Sequence, residues 1–212
     1  MSADGAGERL NEVLKTAGLE PLDAETAAKF RAYLSLILRW NTRLNLTSVR
    51  TEDGIISIHL AESIACARAL PPGIATLLDF GSGAGLPGIP IALCRPEILV
   101  TLAESQGKKA AFLQEAVRVL GIAAKVHAGR AEELRAVFDC VVLRAVDKMP
   151  HAVAAAVKLV RPHGWLALMT TRSQLDALKS AAGAEFAWTI RPQLPGAAQR
   201  ILALGERRAA SA

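Results

Sequence analysis

The sequence predicts an α/β fold: a Rossmann-like, mostly parallel sheet of seven strands with helices on both faces. From residue 76 onward, short apolar runs alternate with helical segments, a pattern typical of a parallel sheet covered on both sides. A cluster of glycines directly follows the first apolar run, where folds of this kind hold a ligand. Before residue 71 the apolar spacing is helical throughout.

The helical part is predicted from two apolar stripes. Asp23 can cap a helix whose apolar positions follow a 3.6-residue period, namely Phe30, Leu34, Ile37 and Leu38. A second stripe comprises Ile56, Leu60, Ile64 and Ala67. It ends before Pro71-Pro72-Gly73, which breaks a helix. We therefore predict an N-terminal helical extension over residues 1–72 and a Rossmann-like domain over residues 73–212.

The elements of the second domain follow from their apolar runs. Parallel strands are predicted at Thr76–Phe80, Ile98–Ala103, Ala124–His127, Cys140–Leu143 and Leu166–Met169. Helices are predicted at Lys108–Leu120, Met149–Val160 and Ser173–Ala182. Two final extended runs, Phe186–Ile190 and Arg200–Leu204, are separated by Pro192 and Pro195-Gly196. We expect them to pair as an antiparallel hairpin that closes the sheet.

Composition excludes several classes of protein. A hydrophobic fraction of 51% and a net charge of +5 argue against disorder. The longest uncharged stretch, Phe80–Cys94, is too short for a membrane span, and Met1–Gly5 shows no secretion signal. The cysteines, Cys66, Cys94 and Cys140, are too far apart for a disulfide framework or a cysteine-rich zinc site. We expect a cytoplasmic protein without a metal, and a monomer.

Positive charge is concentrated near the C-terminus. Residues 146–212 carry nine basic and four acidic side chains. Such a region suits a polyanionic partner, and a solubilising tail explains it equally well. Aromatic residues make up 4% of the chain, which argues against binding of single strands mainly by base stacking.

The glycine cluster predicts a ligand-binding loop. Gly81, Gly83 and Gly85 follow the first strand, and a helix is expected to begin at or near Pro87. Gly83, Gly85 and Gly88 also satisfy the G-x-G-x-x-G pattern of dinucleotide-binding proteins. Asp79 favours another ligand, because a carboxylate before the glycines would repel a pyrophosphate. It would suit the positive charges of S-adenosylmethionine.

Glu104 ends the second predicted strand, 23 residues after Gly81. Doubly wound folds place here an acid that accepts hydrogen bonds from a ribose diol. Such an acid serves NAD and S-adenosylmethionine equally, so Glu104 supports the fold more than the choice of ligand.

These residues resemble the RsmG (GidB) family of bacterial 16S rRNA guanine-N7 methyltransferases. The resemblance covers most of residues 33–204 and is strongest over Asp79–Pro90, which contains Gly85-Leu86-Pro87-Gly88-Ile89-Pro90. Further similar runs are Trp40-Asn41, Leu44–Arg50, His59–Ser63, Arg95-Pro96-Glu97, Gly107-Lys108-Lys109, Phe112-Leu113, Arg130-Ala131-Glu132 and Leu143-Arg144-Ala145.

The resemblance implies S-adenosylmethionine as cofactor, S-adenosylhomocysteine as product, and 16S rRNA or the small ribosomal subunit as partner. It implies that Gly81 and Leu86 line the cofactor pocket and that Ala131 and Glu132 hold the adenine. It also implies that Arg144, after the fourth strand, lies in the mouth of the active site.

Two positions depart from the family. Thr170-Thr171-Arg172 stands where Lys-Gly is usual, and Glu62 replaces the usual aspartate. The first departure puts in doubt any role that the family's lysine carries.

The chemistry of the predicted site is compatible with N7 methylation. The segment Val142–Ala145 lacks the prolines that often accompany methylation of exocyclic amines. Cys140 starts its strand and is expected to be a buried small residue, not a nucleophile. Guanine N7 carries no proton, so no general base is needed. Arg144 could donate to guanine O6, contact the cofactor, or pair with Glu104 or Asp79.

Alternative interpretations remain open for the function and for two other segments. An NAD-dependent oxidoreductase or a non-catalytic RNA-binding protein could use the same fold. His59 is interpreted as a packed histidine with one nitrogen bonded, and a site role is the alternative. Trp40-Asn41 belongs either to the core or to a segment that closes the cofactor pocket or docks RNA.

Overall fold

A computed structural model of the chain describes residues 5–192 and 199–209. The N-terminal region contains helices α1 (Ala6–Thr16), α2 (Ala24–Asn41), the short α3 (Glu52–Gly54) and α4 (Ala61–Ala69), and a π-helical stretch, Ile55–Leu60, joins α3 to α4. The predicted cap of α2 is confirmed, because the Asp23 carboxylate accepts a hydrogen bond of 2.8 Å from the Thr26 N–H.

In the described part of the chain, the strands form one seven-stranded sheet of order β3-β2-β1-β4-β5-β7-β6. They are β1 (Thr76–Phe80), β2 (Leu99–Ala103), β3 (Ala124–His127), β4 (Phe138–Arg144), β5 (Val160–Thr171), β6 (Phe186–Pro192) and β7 (Arg200–Arg207). Strands β1 to β5 are parallel, and β7 runs antiparallel between β5 and β6. The predicted Rossmann-like sheet with a closing antiparallel hairpin is confirmed. Pro195-Gly196, expected in the turn, lie outside the described residues.

Helices between the strands cover both faces of the sheet. They are α5 (Gly88–Cys94), α6 (Gly107–Leu120), α7 (Met149–Ala156) and α8 (Leu175–Ala182). Alternate residues of each strand enter opposite cores. On β4, Cys140 and Val142 pack with the N-terminal helices, α5 and α6, whereas Val141 and Leu143 pack with α7 and α8.

The N-terminal helices share a core with the sheet. Tyr33 and Ile37 of α2 lie in the same buried cluster as Ile89 of α5 and Leu113 of α6. The predicted boundary after residue 72 falls between α4 and β1, and division into two domains at this point remains a prediction.

The predicted helix Met149–Val160 extends too far. Helix α7 ends at Ala156, a 3-10 turn follows, and Val160 starts β5. Val160 pairs with Phe138 of β4, so a contact distant in sequence overrides the helical spacing. No helix within the described ranges is long and apolar enough to cross a membrane.

Candidate active site

The glycine loop lies at the carboxyl end of β1, where the sheet order reverses between β1 and β4. This reversal is the usual ligand site of doubly wound sheets. Gly81, Gly83 and Gly85 have φ angles of +74°, +56° and +83°, which favour glycine. The N–H groups of Gly81 and Ser82 donate to the Ala103 carbonyl at 3.0 and 2.9 Å. The loop is thereby fixed to the end of β2.

Asp79 lies beneath this loop with 1% of its surface exposed. Its Oδ2 accepts a hydrogen bond of 3.0 Å from the Gly88 N–H, at the first residue of α5. A Cβ at position 88 would lie 2.6 Å from that oxygen, so glycine is required there. Burial raises the pKa of the Asp79 carboxyl to about 7, and the Gly88 hydrogen bond opposes the rise.

Glu104 follows β2 and supports the loop from the side. Its Oε2 accepts from the Gly83 N–H at 2.9 Å, and its Oε1 accepts from the Gln106 N–H at 2.8 Å. The side chain lines a cleft of about 480 Å³, which we call the central cleft. Gly81, Ser82, Gly83, Ala84, Leu86, Glu104, Lys109, Thr47, His59 and Arg144 are among its lining residues.

Further cavities adjoin the central cleft on both sides. The β3-side cavity, of about 630 Å³, is lined by Gly129–Glu132, Lys148 and His151, and shares Gly81, Ser105, Gln106, Val146 and Asp147 with the cleft. The β5-side cavity, of about 340 Å³, is lined by Glu62, Met169–Thr171, Gln174 and Arg200, among others. It shares Ser48, His59, Arg144, Ala145 and Val146 with the cleft. Together they follow the carboxyl edge of the sheet.

Arg144, the last residue of β4, lines the shared wall of the central cleft and the β5-side cavity. Its Nη1 donates to Ser63 Oγ at 3.1 Å, and its Nη2 donates to the Ile58 carbonyl at 2.9 Å. It forms an ion pair of 3.0 Å with Glu62. Pairing with Asp79 or Glu104, one of the three alternatives that the sequence left open, is not found among the described residues. Burial lowers the pKa of the Arg144 guanidinium, and the Glu62 carboxylate opposes this effect.

These features agree with a comparison of the chain with known protein families. The model of the family described as "GidB: rRNA small subunit methyltransferase G" matches residues 26–195. The chain belongs to this family.

Relatives named ribosomal RNA small subunit methyltransferase G are similar to this GidB-family chain. The protein of Xanthomonas campestris pv. campestris (strain B100) is 43% identical over 153 residues, or 71% of each chain. That of Roseiflexus sp. (strain RS-1) is 38% identical over 150 residues, 68% of this chain and 64% of the relative.

Solved structures show the same fold at low sequence identity. A methyltransferase from Pyrococcus furiosus has a TM-score of 0.62 at 12% identity, covering 86% of this chain and all of its own. A putative O-methyltransferase from Klebsiella pneumoniae has a TM-score of 0.59 at 17% identity, and the match covers 94% of this chain and 96% of that protein. The GidB-family chain therefore has a methyltransferase fold.

The sequence-predicted site residues of this GidB-family protein divide into two groups. Gly81, Gly83, Leu86, Glu104 and Arg144 line the central cleft, and Ala131 and Glu132 line the β3-side cavity. Asp79 and Gly85 contribute no surface to either cavity, because Asp79 is buried under the loop and the Cα of Gly85 faces Ile89 and Leu113. Among the described residues, no cluster of His, Cys, Asp or Glu could hold a metal ion.

His59 has both ring nitrogens bonded, so the expectation of one bonded nitrogen is wrong. Nδ1 lies 3.0 Å from Nη2 of Arg144, and Nε2 lies 2.6 Å from Oγ1 of Thr47. Because Arg144 can only donate, Nδ1 accepts and the neutral ring carries its proton on Nε2. Burial, with Arg144 and Arg200 nearby, lowers the pKa of His59 to about 3. His59 also lines the central cleft.

The segment after Trp40-Asn41 forms part of the cleft wall. Asn41 Nδ2 donates to the Thr47 and Val49 carbonyls at 3.1 and 3.3 Å, and its Oδ1 accepts from the Thr47 N–H at 3.1 Å. Leu46, Thr47 and Ser48 line the central cleft. Asn41 therefore holds in place a segment that lines the central cleft together with the glycine loop.

Sequence reasoning missed the roles of Glu62 and Arg200. Glu62, with 3% of its side chain exposed, accepts from Arg200 Nη1 at 2.9 and 3.0 Å, in addition to its contact with Arg144. Burial raises the pKa of the Glu62 carboxyl, and both guanidinium groups oppose the rise. The usable signal was a carboxylate three residues after His59, placed between the apolar positions Leu60 and Ile64 of a helical stretch. Arg200 could not be located without the strand order, which sets it opposite Thr171.

Proposed function

We propose that this GidB-family protein transfers a methyl group from S-adenosylmethionine to N7 of a guanine in the 16S rRNA of the small ribosomal subunit. The proposal extends family membership to a specific cofactor, base and atom. One observation carries it: the central cleft and the β5-side cavity share a wall that includes Arg144 and Ala145. A cofactor and an acceptor base bound on either side of this wall would be close enough for direct transfer.

The residues of the central cleft and the β3-side cavity suit S-adenosylmethionine. Because Gly81 and Gly83 have no side chains, a cofactor can approach the backbone of the loop closely. An added Cβ at Gly83 would have no protein neighbour nearer than 4.0 Å. Glu104 offers carboxylate oxygens for a ribose diol. We place the adenine in the β3-side cavity beside Ala131 and Glu132. When bound, the cofactor supplies a methyl group on a positively charged sulfur.

The buried Asp79 would act on this positive charge from below the loop. Its carboxyl has a pKa of about 7, so it is partly protonated near neutral pH. A cationic ligand above the loop would favour the ionised form. We therefore propose that Asp79 contributes by charge and by holding α5, and that Gly85 contributes by shaping the loop, without direct contact with the cofactor.

The β5-side cavity, where the acceptor base would bind, offers no obvious general base. This absence suits methylation at N7. Guanine N7 presents a lone pair in the ring plane and has no proton to lose. His59 has both nitrogens engaged, and Glu62 is paired with Arg144 and Arg200. We propose that Arg144 acts as the predicted catalytic-site arginine by fixing the shared wall beside the reacting atoms.

Cationic side chains around the cavities suit an RNA. Lys109 lines the central cleft, Lys148 and Arg130 line the β3-side cavity, and Arg200 lines the β5-side cavity. A ribosomal RNA substrate agrees with the expected cytoplasmic location, and we expect a monomer to be active. Family membership decides against the NAD-dependent oxidoreductase that the glycine pattern alone leaves open. It also weighs against a non-catalytic RNA-binding protein.

The proposal is tested with the purified protein and methyl-tritiated S-adenosylmethionine. Small subunits come from a strain that lacks its own enzyme of this type, and their 16S rRNA is digested to nucleosides. We expect label in 7-methylguanosine. Label in another nucleoside would correct the atom, and cofactor binding without label on subunits, precursor particles or naked 16S rRNA would contradict the proposal.

A further inference from the structure

The β5-side cavity has the size and lining of a site for a flat base. Its volume of about 340 Å³ lies within the usual range for small-ligand pockets. Apolar side chains, Ile58, Met149 and Met169, supply surfaces for the faces of a ring. Glu62 supplies a carboxylate at the same cavity. Enzymes that modify bases commonly hold the target between apolar side chains and hydrogen-bond its Watson–Crick edge.

The two arginines that bind Glu62 differ in how firmly they are held. Arg144 has 11% of its side chain exposed and also donates to Ile58, His59 and Ser63. Arg200 has 43% of its side chain exposed, and the hydrogen bonds described for its guanidinium group go to Glu62. Arg200 is the exposed partner of a buried carboxylate, so its guanidinium can turn to solvent or to another anion without being buried unpaired. The charge of Glu62 would still be balanced by Arg144.

We propose that the β5-side cavity holds the target guanine and that Glu62 accepts hydrogen bonds from its N1–H and 2-amino groups after Arg200 moves onto an RNA phosphate. This inference rests on the proposed function and identifies its specificity-determining residue. The phosphate is a suitable new partner for Arg200, since guanidinium–phosphate hydrogen bonds are charge-assisted and often bidentate.

A carboxylate in this position selects guanine because guanine presents hydrogen-bond donors to it. Guanine presents two adjacent N–H donors on the Watson–Crick edge, which match the two oxygens of Glu62. Adenine presents an unprotonated N1 and lacks the 2-amino group, so its lone pair would face a negative charge. A site built around such hydrogen bonds rejects a base that lacks them, because the buried acceptor is left unpaired.

This orientation also leaves N7 available. N7 lies in the five-membered ring, away from N1 and the 2-amino group, and is not used in binding to Glu62. The base can therefore be gripped by one edge while N7 faces the shared wall and the central cleft. Arg144 then acts as a positioning residue for Glu62.

The test removes one chemical group, the 2-amino group, from the target base of the substrate. The methylated guanosine is first mapped with the wild-type protein, and 16S rRNA is then prepared with inosine, which lacks the 2-amino group, at that nucleotide. We expect wild-type kcat/KM to fall by about tenfold to a hundredfold on inosine, because a hydrogen bond to a charged acceptor is lost. Glu62→Gln should be slower on guanosine and show an inosine penalty of about threefold or less.

A purely structural role of Glu62 predicts a different result. Glu62→Gln would then slow both substrates by the same factor, and an unchanged ratio overturns the proposal. Glu62→Asp keeps the carboxylate and should retain the inosine penalty. If Glu62→Gln does not fold, the wild-type comparison still decides, because equal rates on guanosine and inosine overturn the inference. Absence of methylation by the wild-type protein would instead overturn the proposed function itself.

The role of Arg200 is tested separately through the RNA. Arg200→Gln should raise KM for RNA and weaken its dependence on salt concentration, because one phosphate contact is lost, while the guanosine-to-inosine ratio stays as in the wild type. Arg118→Gln removes an equal charge near the end of α6, the helix that precedes the edge strand β3, and should leave KM unchanged. Equal behaviour of both variants would overturn the transfer of Arg200 to phosphate.

Discussion

The Tyr33 hydroxyl donates a hydrogen bond of 2.5 Å to the main-chain carbonyl of Ala84, in the middle of the glycine loop. Tyr33 lies on α2 and is fully buried. Burial raises the pKa of its phenol well above the ordinary value, so the hydroxyl remains a donor near neutral pH. A helix of the N-terminal region thus stabilises the loop that forms the floor of the central cleft.

Replacing Tyr33 by phenylalanine should weaken cofactor binding. Tyr33→Phe keeps the ring in the core but leaves the Ala84 carbonyl without this donor, at a cost of about 1–3 kcal/mol in the free energy of unfolding. We expect the Kd for S-adenosylmethionine, measured by calorimetry, to rise about tenfold, equivalent to about 1.4 kcal/mol. Phe30→Leu on the same helix is the control, since it reduces packing without removing the hydrogen bond to the loop. An unchanged Kd in Tyr33→Phe would show that the contact is only structural.

Alanine at Gly81 should abolish cofactor binding, whereas alanine at Gly73 should not. Both glycines have positive φ angles, +74° and +81°, so both substitutions strain the backbone by about 1–2 kcal/mol. The added Cβ at position 81 would lie 3.2 Å from Val146 at the cleft, whereas at position 73 it would meet nothing within 4 Å. We expect the two variants to lose similar amounts of stability. Only Gly81→Ala should lose cofactor binding. Equal cofactor affinity in the two variants would refute this assignment of the loop.

Asp79 should make stability depend on pH. Its folded-state pKa of about 7 lies above the ordinary value of 3.8 for an aspartate, so the native state retains a proton that the unfolded state has lost. This contribution to stability is complete below about pH 4 and disappears as pH rises through 7. The free energy of unfolding of the wild type, compared with that of Asp79→Asn, should therefore fall by up to about 4 kcal/mol between pH 4 and pH 8. Urea unfolding across this range measures the difference, and parallel curves for the two proteins would contradict the prediction.

His59 should stay neutral across the physiological range. Its pKa of about 3 lies below the ordinary 6.5, so its ring should not titrate between pH 5 and pH 8. Nitrogen chemical shifts from NMR should show a proton on Nε2 and an unprotonated Nδ1, as the contacts with Thr47 and Arg144 require. A titration near pH 6.5, or a proton on Nδ1, would show that the Arg144–His59 contact is absent in solution.

The local features of the fold were predictable from the sequence. Strands β1 and β3 have the predicted bounds, because apolar runs bounded by breakers are local signals. The glycine loop and Glu104 were also predictable, since their spacing reflects one strand–loop–helix unit. Strand β5 is much longer than Leu166–Met169, because its ends are held by pairing with β4 and β7.

The arrangement of the side chains around the β5-side cavity was not predictable in the same way. Arg200 reaches Glu62 because β7 inserts between β5 and β6, and no local pattern encodes this order. The position of Asp79 follows from strand alternation, which sets it on the same face as Leu77, towards the core formed with α5. The charge of Asp79 by itself does not reveal on which face of the sheet the side chain lies.

The most direct test of the account is transfer of labelled methyl groups to small subunits that lack the modification. We propose that the central cleft and the β5-side cavity form one site for methylation of guanine N7. We predict that label from S-adenosylmethionine appears in 16S rRNA as 7-methylguanosine with the wild-type protein, and that Gly81→Ala abolishes it while Gly73→Ala does not. Measurable cofactor binding by the wild type without 7-methylguanosine in any form of the 16S rRNA would contradict the account.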